Sequence, residues 1–180
     1  MKKMKAYSIS FSGLKIGKHH FEYEIDNLFF EDLDYQEFND ADVKVELNFE
    51  KKSTLMELVF NAKGHVNVNC DLSNEAFNHP IEDSLNLVVK FGDAYDDDNE
   101  EILILPHGEH EINVAQYIYE MIVLAMPLKK VHPGIADGTL KSDILKRLEE
   151  LSPDKNTKSK NKEDYKDPRW DSLKKLLTDK

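Results

Sequence analysis

The stretch Val43-Lys44-Val45-Glu46-Leu47-Asn48-Phe49, resumed after a polar break by Met56-Glu57-Leu58-Val59-Phe60-Asn61-Ala62, decides the fold. Val43, Val45, Leu47 and Phe49 alternate with charged or polar neighbours, and Met56, Leu58, Phe60 and Ala62 repeat the spacing. A period of two places one set of side chains on a single side of an extended chain. The two runs therefore read as a β-hairpin, turning at Glu50 to Ser53, with one apolar face that needs cover.

The same period continues outward. Tyr7, Ile9 and Phe11 alternate with small or polar residues, Gly13 to Gly17 reads as a turn, and Phe21, Tyr23 and Ile25 follow, which predicts a first hairpin. Beyond Gly64, Val66, Val68 and Cys70 alternate with His65, Asn67 and Asn69, and Leu85, Leu87, Val89 and Phe91 do so later. These runs extend an antiparallel sheet. Asn78-His79-Pro80 reads as punctuation between them. Asp93 to Glu101, with six acidic residues in nine, reads as a loop before an apolar run at Ile102 to Leu105.

From Asn113 the period becomes helical. Val114, Ile118, Met121, Ile122 and Ala125 share a face, Asn113 suits an N-cap, and Pro127 ends the run. Lys129 to Gly138 is a turn-rich connector, after which Asp143 starts a helix carrying Ile144, Leu145, Leu148 and Leu151 until Pro153. The expected fold is α+β: an antiparallel β-sheet body over residues 1–152 covered by a helix, a flexible linker at 153–166, and a short C-terminal helix at 167–180. The linker is rich in Lys, Asn, Ser and Asp, too polar to offset its ordering entropy by burial. Asp167-Pro168 is a helix-start signal ahead of Leu173, Leu176 and Leu177.

With 180 residues, 40% of them hydrophobic, the chain has the size of one domain and enough apolar mass for a core. Its net charge of −11 is unevenly spread: residues 1–150 hold 15 Lys+Arg and 29 Asp+Glu, a balance of −14, and residues 151–180 hold 9 and 6, a balance of +3. The acidic body repels polyanions and the tail attracts them. One cysteine forms no internal disulfide, which fits reducing cytoplasm. Lys2, Lys3 and Lys5 resemble the start of an export signal, but Ser8, Ser10, Ser12 and Lys15 interrupt the apolar stretch that export requires. No run of about 20 apolar residues provides a membrane span.

The local marks of common catalytic sites are absent: no G-x-S-x-G elbow, phosphate-cradling glycine loop or H-E-x-x-H. Cys70 is weighed as a nucleophile activated by His65 or His79, but a cysteine spaced with Val66 and Val68 reads as buried and structural. The expectation is no catalytic residue and no enzyme. His107-Gly108-Glu109-His110 with His132 or Cys70 offers metal donors, yet one thiol and scattered imidazoles make no closed zinc site, so no metal and no cofactor are assigned. The acidic run Asp96 to Glu101 lacks the glycine and spaced glutamate of a calcium loop. It reads as a solvated loop, or as a surface that docks a basic partner such as a ribosomal protein. In the tail, lysines, Arg169, Tyr165 and Trp170 combine cations for phosphate with rings for unpaired bases. An equally available reading is a solubilising tail whose Trp170 packs on the body.

Three segments in order resemble the YceD family, the large ribosomal RNA subunit accumulation proteins. They are Gly64-His65-Val66-Asn67-Val68-Asn69-Cys70-Asp71-Leu72, then Ile112-Asn113-Val114 through Ala125-Met126-Pro127-Leu128, and finally Asp167-Pro168-Arg169 with Trp170 and Leu173. The resemblance implies a non-catalytic accessory role in rRNA accumulation and ribosome biogenesis, with metal and nucleic-acid binding as suspected properties. Family members often carry further cysteines. Here Ser73 stands where a second thiol would follow Cys70, and Val131-His132-Pro133 where later cysteines would stand, so the metal site is not carried over; Cys70 and His132 would be its remnants if one survives. Lys166, Asp167, Pro168, Arg169 and Trp170 are the expected contacts to ribosomal RNA, a large-subunit precursor or a basic ribosomal protein. The alternative is a protein-interaction adaptor without nucleic-acid binding, docking through Trp170, Leu173 and Leu177.

Overall fold

The computed structural model describes residues 4–99, 101–140 and 143–151. The elements run β1 (Ser8–Ile9), β2 (Gly17–Asp26), α1 (Asn27–Glu31), β3 (Asp40–Lys51), β4 (Leu55–Asn69), β5 (Ala76–Gly92), β6 (Asp96–Asn99), β7 (Ile102–Pro106), β8 (Ile112–Asn113), α2 (Ala115–Leu124), α3 (Pro133–Ala136) and α4 (Asp143–Leu151). The architecture is α+β, as the alternation requires. A six-stranded sheet has the order β2-β3-β4-β5-β7-β6, and β1 and β8 form a separate two-stranded ribbon.

The expected hairpin lies at the centre. Val45 faces Ala62, Leu47 faces Phe60 and Phe49 faces Leu58 across β3 and β4, with the turn closed by Lys52 N–H donating to Leu55 O at 2.9 Å. All six of these side chains are buried. On the next strand Leu58 pairs with Leu87 and Val68 with Phe77, which continues the apolar rows. Ile118 and Ile122, both fully buried, come from the inward face of α2, with Met121 and Ala115 beside them. The opposite face of the sheet is polar. There Lys44 pairs with Glu22 and Glu46, and Asn39, Asn67, Asn69 and Asn78 form a ladder of amide hydrogen bonds of 2.7 to 3.1 Å.

Several local expectations give way. Strand β4 runs through Gly64 and joins the runs on either side of it; a Cβ there would sit 2.1 Å from Asp42 O, so only glycine lets β3 approach so closely. Asn78-His79-Pro80 does not interrupt β5. Strand β7 covers only Val88 to Gly92, so Pro80 lies where one side of β5 is an edge and needs no N–H. That β5–β7 pairing is parallel, which makes the sheet mixed.

Tyr7 to Phe11 supplies two strand residues between 3-10 turns, and they pair with Ile112 and Asn113 instead of with β2. Asn113 secures the contact by donating to Met4 O at 2.8 Å and Ser8 Oγ at 3.0 Å. The N-cap position of α2 is Val114, though Asn113 Oδ1 still accepts from Ala115 N–H at 3.1 Å. The acidic stretch is not all loop: Asp96–Asn99 pairs with β7 at the sheet edge. Side chains that all face water leave the backbone free to pair despite the charge. Helix α1, capped by Asp26, buries Phe29 and Phe30; Phe30 meets Phe38 edge-on at 4.9 Å.

The chain forms two compact units, residues 1–140 and 141–180. Within the second, α4 places Ile144, Leu145, Leu148 and Leu151 at helical spacing, and Lys146 pairs with Asp143 at 3.1 Å. Among the described residues no helix is long and apolar enough to cross a membrane.

Candidate functional site

Where β4 ends, the chain must reverse at once into β5. Cys70 O accepts from Asn74 N–H at 2.8 Å, Cys70 N–H donates to Glu75 O at 2.9 Å, and Asn74 takes a φ of 58°, a left-handed conformation that asparagine tolerates. The connector after α2 is stitched to this turn. Asp71 N–H donates to Lys130 O at 2.8 Å, and Lys130 N–H returns to Asp71 Oδ2 at 2.6 Å. Sequence separation thus ends in a knot that joins Cys70, Ser73 and His132.

The thiol is its centre. Cys70 is buried, and its Sγ accepts from Leu72 N–H at 3.4 Å and His132 N–H at 3.3 Å, with further bonds from the Ser73 hydroxyl and backbone. Burial pushes the thiol's pKa up, but these donors stabilise the thiolate more and hold it below its ordinary 9.0. His132 caps α3 by accepting from Gly134 N–H at its Nδ1, 2.9 Å away, which leaves the neutral ring's proton on Nε2. The edge of the ring packs against Phe77 with centroids 5.4 Å apart. Gly134 leaves room for this arrangement: a Cβ would lie 2.9 Å from both His132 Nδ1 and Thr139 Oγ1 and would force one of them to move.

This donor set does not fit zinc. Only one thiol is present, the Ser73 hydroxyl is a poor substitute, and the Nδ1 lone pair of His132 is engaged. No group of three or more His, Cys, Asp or Glu able to hold a metal occurs among the described residues. His107 stacks on Phe91 at 6.4 Å and His110 Nδ1 lies 3.2 Å from Gly108 O, an exposed turn apart from the knot. The proposed activators of Cys70 are also elsewhere: His65 lies on the polar face, paired with Asp42, and His79 packs edge-on against Phe77.

Cys70 and His132 were visible in the sequence and are brought together. Asp71 and Lys130, which tie the two segments, were not singled out; the only local hint was a polar residue directly after the strand cysteine. Lys166, Asp167, Pro168, Arg169 and Trp170 lie outside the described residues, as do the 153–166 linker and the 167–180 helix.

A mixed sheet with one polar face, one helix-covered face and a hydrogen-bonded cysteine turn at its end defines an α+β protein. Residues 58–177, two thirds of the chain, match the model of the family described as Large ribosomal RNA subunit accumulation protein YceD. The chain belongs to that family. No curated protein and no solved structure gives a match.

Proposed function

We propose that the protein is a non-catalytic binding factor that supports accumulation of the large ribosomal RNA subunit. The observation that carries this reading is its division of charge: −14 over residues 1–150 against +3 over residues 151–180. A body of that sign is unsuited to hold RNA and suited to meet a basic protein, so phosphate contact falls to the tail. Arg169 offers a planar donor fork for phosphate and Trp170 a stacking face for an unpaired base. Burial of Cys70, with its thiol already engaged as an acceptor, supports a structural role over a nucleophilic one.

Deletion of residues 167–180, or the double change R169A/W170A, is expected to weaken association with the large-subunit precursor at least tenfold, about 1.4 kcal/mol. Sucrose-gradient co-sedimentation at two salt concentrations measures this, with the gap between wild type and variant wider at low salt than at high salt if phosphate is contacted. Unchanged co-sedimentation in both salts overturns RNA contact by the tail. A loss that ignores salt instead favours an adaptor docking through Trp170, Leu173 and Leu177.

A further inference from the structure

Between α2, β5 and β6 lies an open groove of about 670 Å³. Its wall includes the rings of Tyr95 and Tyr117 and the exposed Leu124, and its rim carries Asp83, Asp97 and Glu120, one carboxylate each from β5, β6 and α2. No lysine, arginine or histidine lines it. None of the three carboxylates takes part in an ion pair among the described residues.

Two of these carboxylates, Asp97 and Glu120, are oriented without being neutralised. Tyr95 OH donates to Asp97 Oδ2 at 3.0 Å, the Tyr117 hydroxyl bonds that of Tyr95, and Gln116 Nε2 donates to Glu120 Oε1. The bonds to Asp97 and Glu120 each fix one carboxylate oxygen, and neither carboxylate takes part in an ion pair among the described residues. The three do not converge as metal ligands would. Separated negative charges around an aromatic floor suit a ligand with separated positive charges and apolar stems.

We infer that this groove binds an extended peptide segment rich in lysine and arginine, carried by a partner protein. The inference rests on the proposed function, in which the acidic body meets a basic protein, and it names the surface and the chemistry of the contact. Lysine and arginine stems would lie along Leu124 and the tyrosine rings, their charged heads reaching the rim. Tyr95 is 56% exposed, so its ring face is available to a cation. RNA is disfavoured at this surface by the same three charges.

The test uses the full chain and a fluorescein-labelled peptide of alternating lysine, arginine and glycine, read by fluorescence anisotropy. A glutamate-for-basic peptide and a single-stranded RNA oligonucleotide serve as comparison probes. D97N/E120Q keeps the shape and the hydrogen-bond acceptors of the groove while removing two charges. E24Q/D42N removes two charges from the polar sheet face instead. Circular dichroism melts verify that both variants fold.

The expected result is at least tenfold weaker basic-peptide binding for D97N/E120Q and less than threefold for E24Q/D42N, with no binding of the other probes. Equal weakening by both pairs overturns the groove in favour of general charge attraction, as does failure of the wild type to bind the peptide. Displacement of the peptide by the RNA probe likewise overturns it. Because this assay contains no ribosomal precursor, its failure leaves the gradient result standing, and failure of the gradient experiment leaves the peptide result standing.

Discussion

The Cys70–His132 knot and the tyrosine groove both gather polar atoms beside the same sheet, but they resolve them in opposite ways. In the knot the Cys70 thiol, the His132 Nδ1 and the Asp71 carboxylate each accept from a backbone amide of the same chain. No described buried side-chain nitrogen or oxygen is left without a hydrogen bond. In the groove the hydrogen bonds position carboxylates whose charge stays unmatched. Polar atoms that complete one another hold a fold together, because breaking any one strands its partner in a dry interior. Charges that are aimed but unmatched leave room for a complement from outside the molecule.

The largest effect that would test this contrast is on stability. Phe77, buried and packed on the edge of His132, should cost about 3–5 kcal/mol when truncated to alanine, measured by chemical denaturation. Tyr95→Ala, at an exposed position on the groove, should change stability by no more than about 0.5 kcal/mol. Similar costs for the two would erase the distinction between a closed knot and an open groove.

A smaller effect concerns the thiol itself. Cys70→Ser should cost about 1–2 kcal/mol, because a smaller and more polar group replaces a packed sulfur. The folded thiol's pKa is depressed, so the stability it contributes is lost as pH falls through the folded value and fully present above its ordinary 9.0. The gap between wild type and Cys70→Ser should therefore widen as pH is raised from 7 to above 9, followed by thermal melts at each pH. A gap independent of pH would mean that the surrounding donors do not favour the thiolate.

The smallest effect is spectroscopic and belongs to the groove. Burial raises the pKa of Tyr117 above the ordinary 10.0, and Tyr95, Asp97 and Glu120 raise it further. Its protonated form thus contributes stability that is present below pH 10 and lost as pH rises through the folded value. In an ultraviolet titration of D97N/E120Q the late tyrosine ionisation should move to lower pH, while Tyr23 and Tyr35, each pushed up to about 12, keep their positions. An unmoved curve would show that the two carboxylates do not face the ring.

Legibility in the sequence followed how locally each element is determined. The runs at 43–49 and 56–62 could be read because one face of each is buried, and burial writes itself as a period of two. Strand β6 could not, since its pairing is imposed by β7 against the preference of its own aspartates. Strand β1 is two residues long and depends on partners at 112 and 113, and α1 has only five residues, too few to display a period. Cys70 and His132 emerged through family resemblance, but their bonding depends on Asp71 and Lys130 meeting across a long separation. The groove had only one trace in the sequence, the acidic run. Its tyrosines come from a loop and from α2, where they look like ordinary helix and turn residues.

The border formed by β6 has a consequence for how many copies can share a solution. A sheet ends in a row of backbone groups able to recruit a strand from any neighbour, and such recruitment seeds aggregates. The six-stranded sheet ends at β2 on one side and β6 on the other. Asp96, Asp97 and Asp98 stand exposed along one border, and Glu22, Glu24 and Asp26 along the other. A second copy presenting either border meets like charge before its backbone can pair, a repulsion that salt shortens in range. A short acidic strand that nothing in its own composition favours thus guards the border that β6 forms against pairing with another chain.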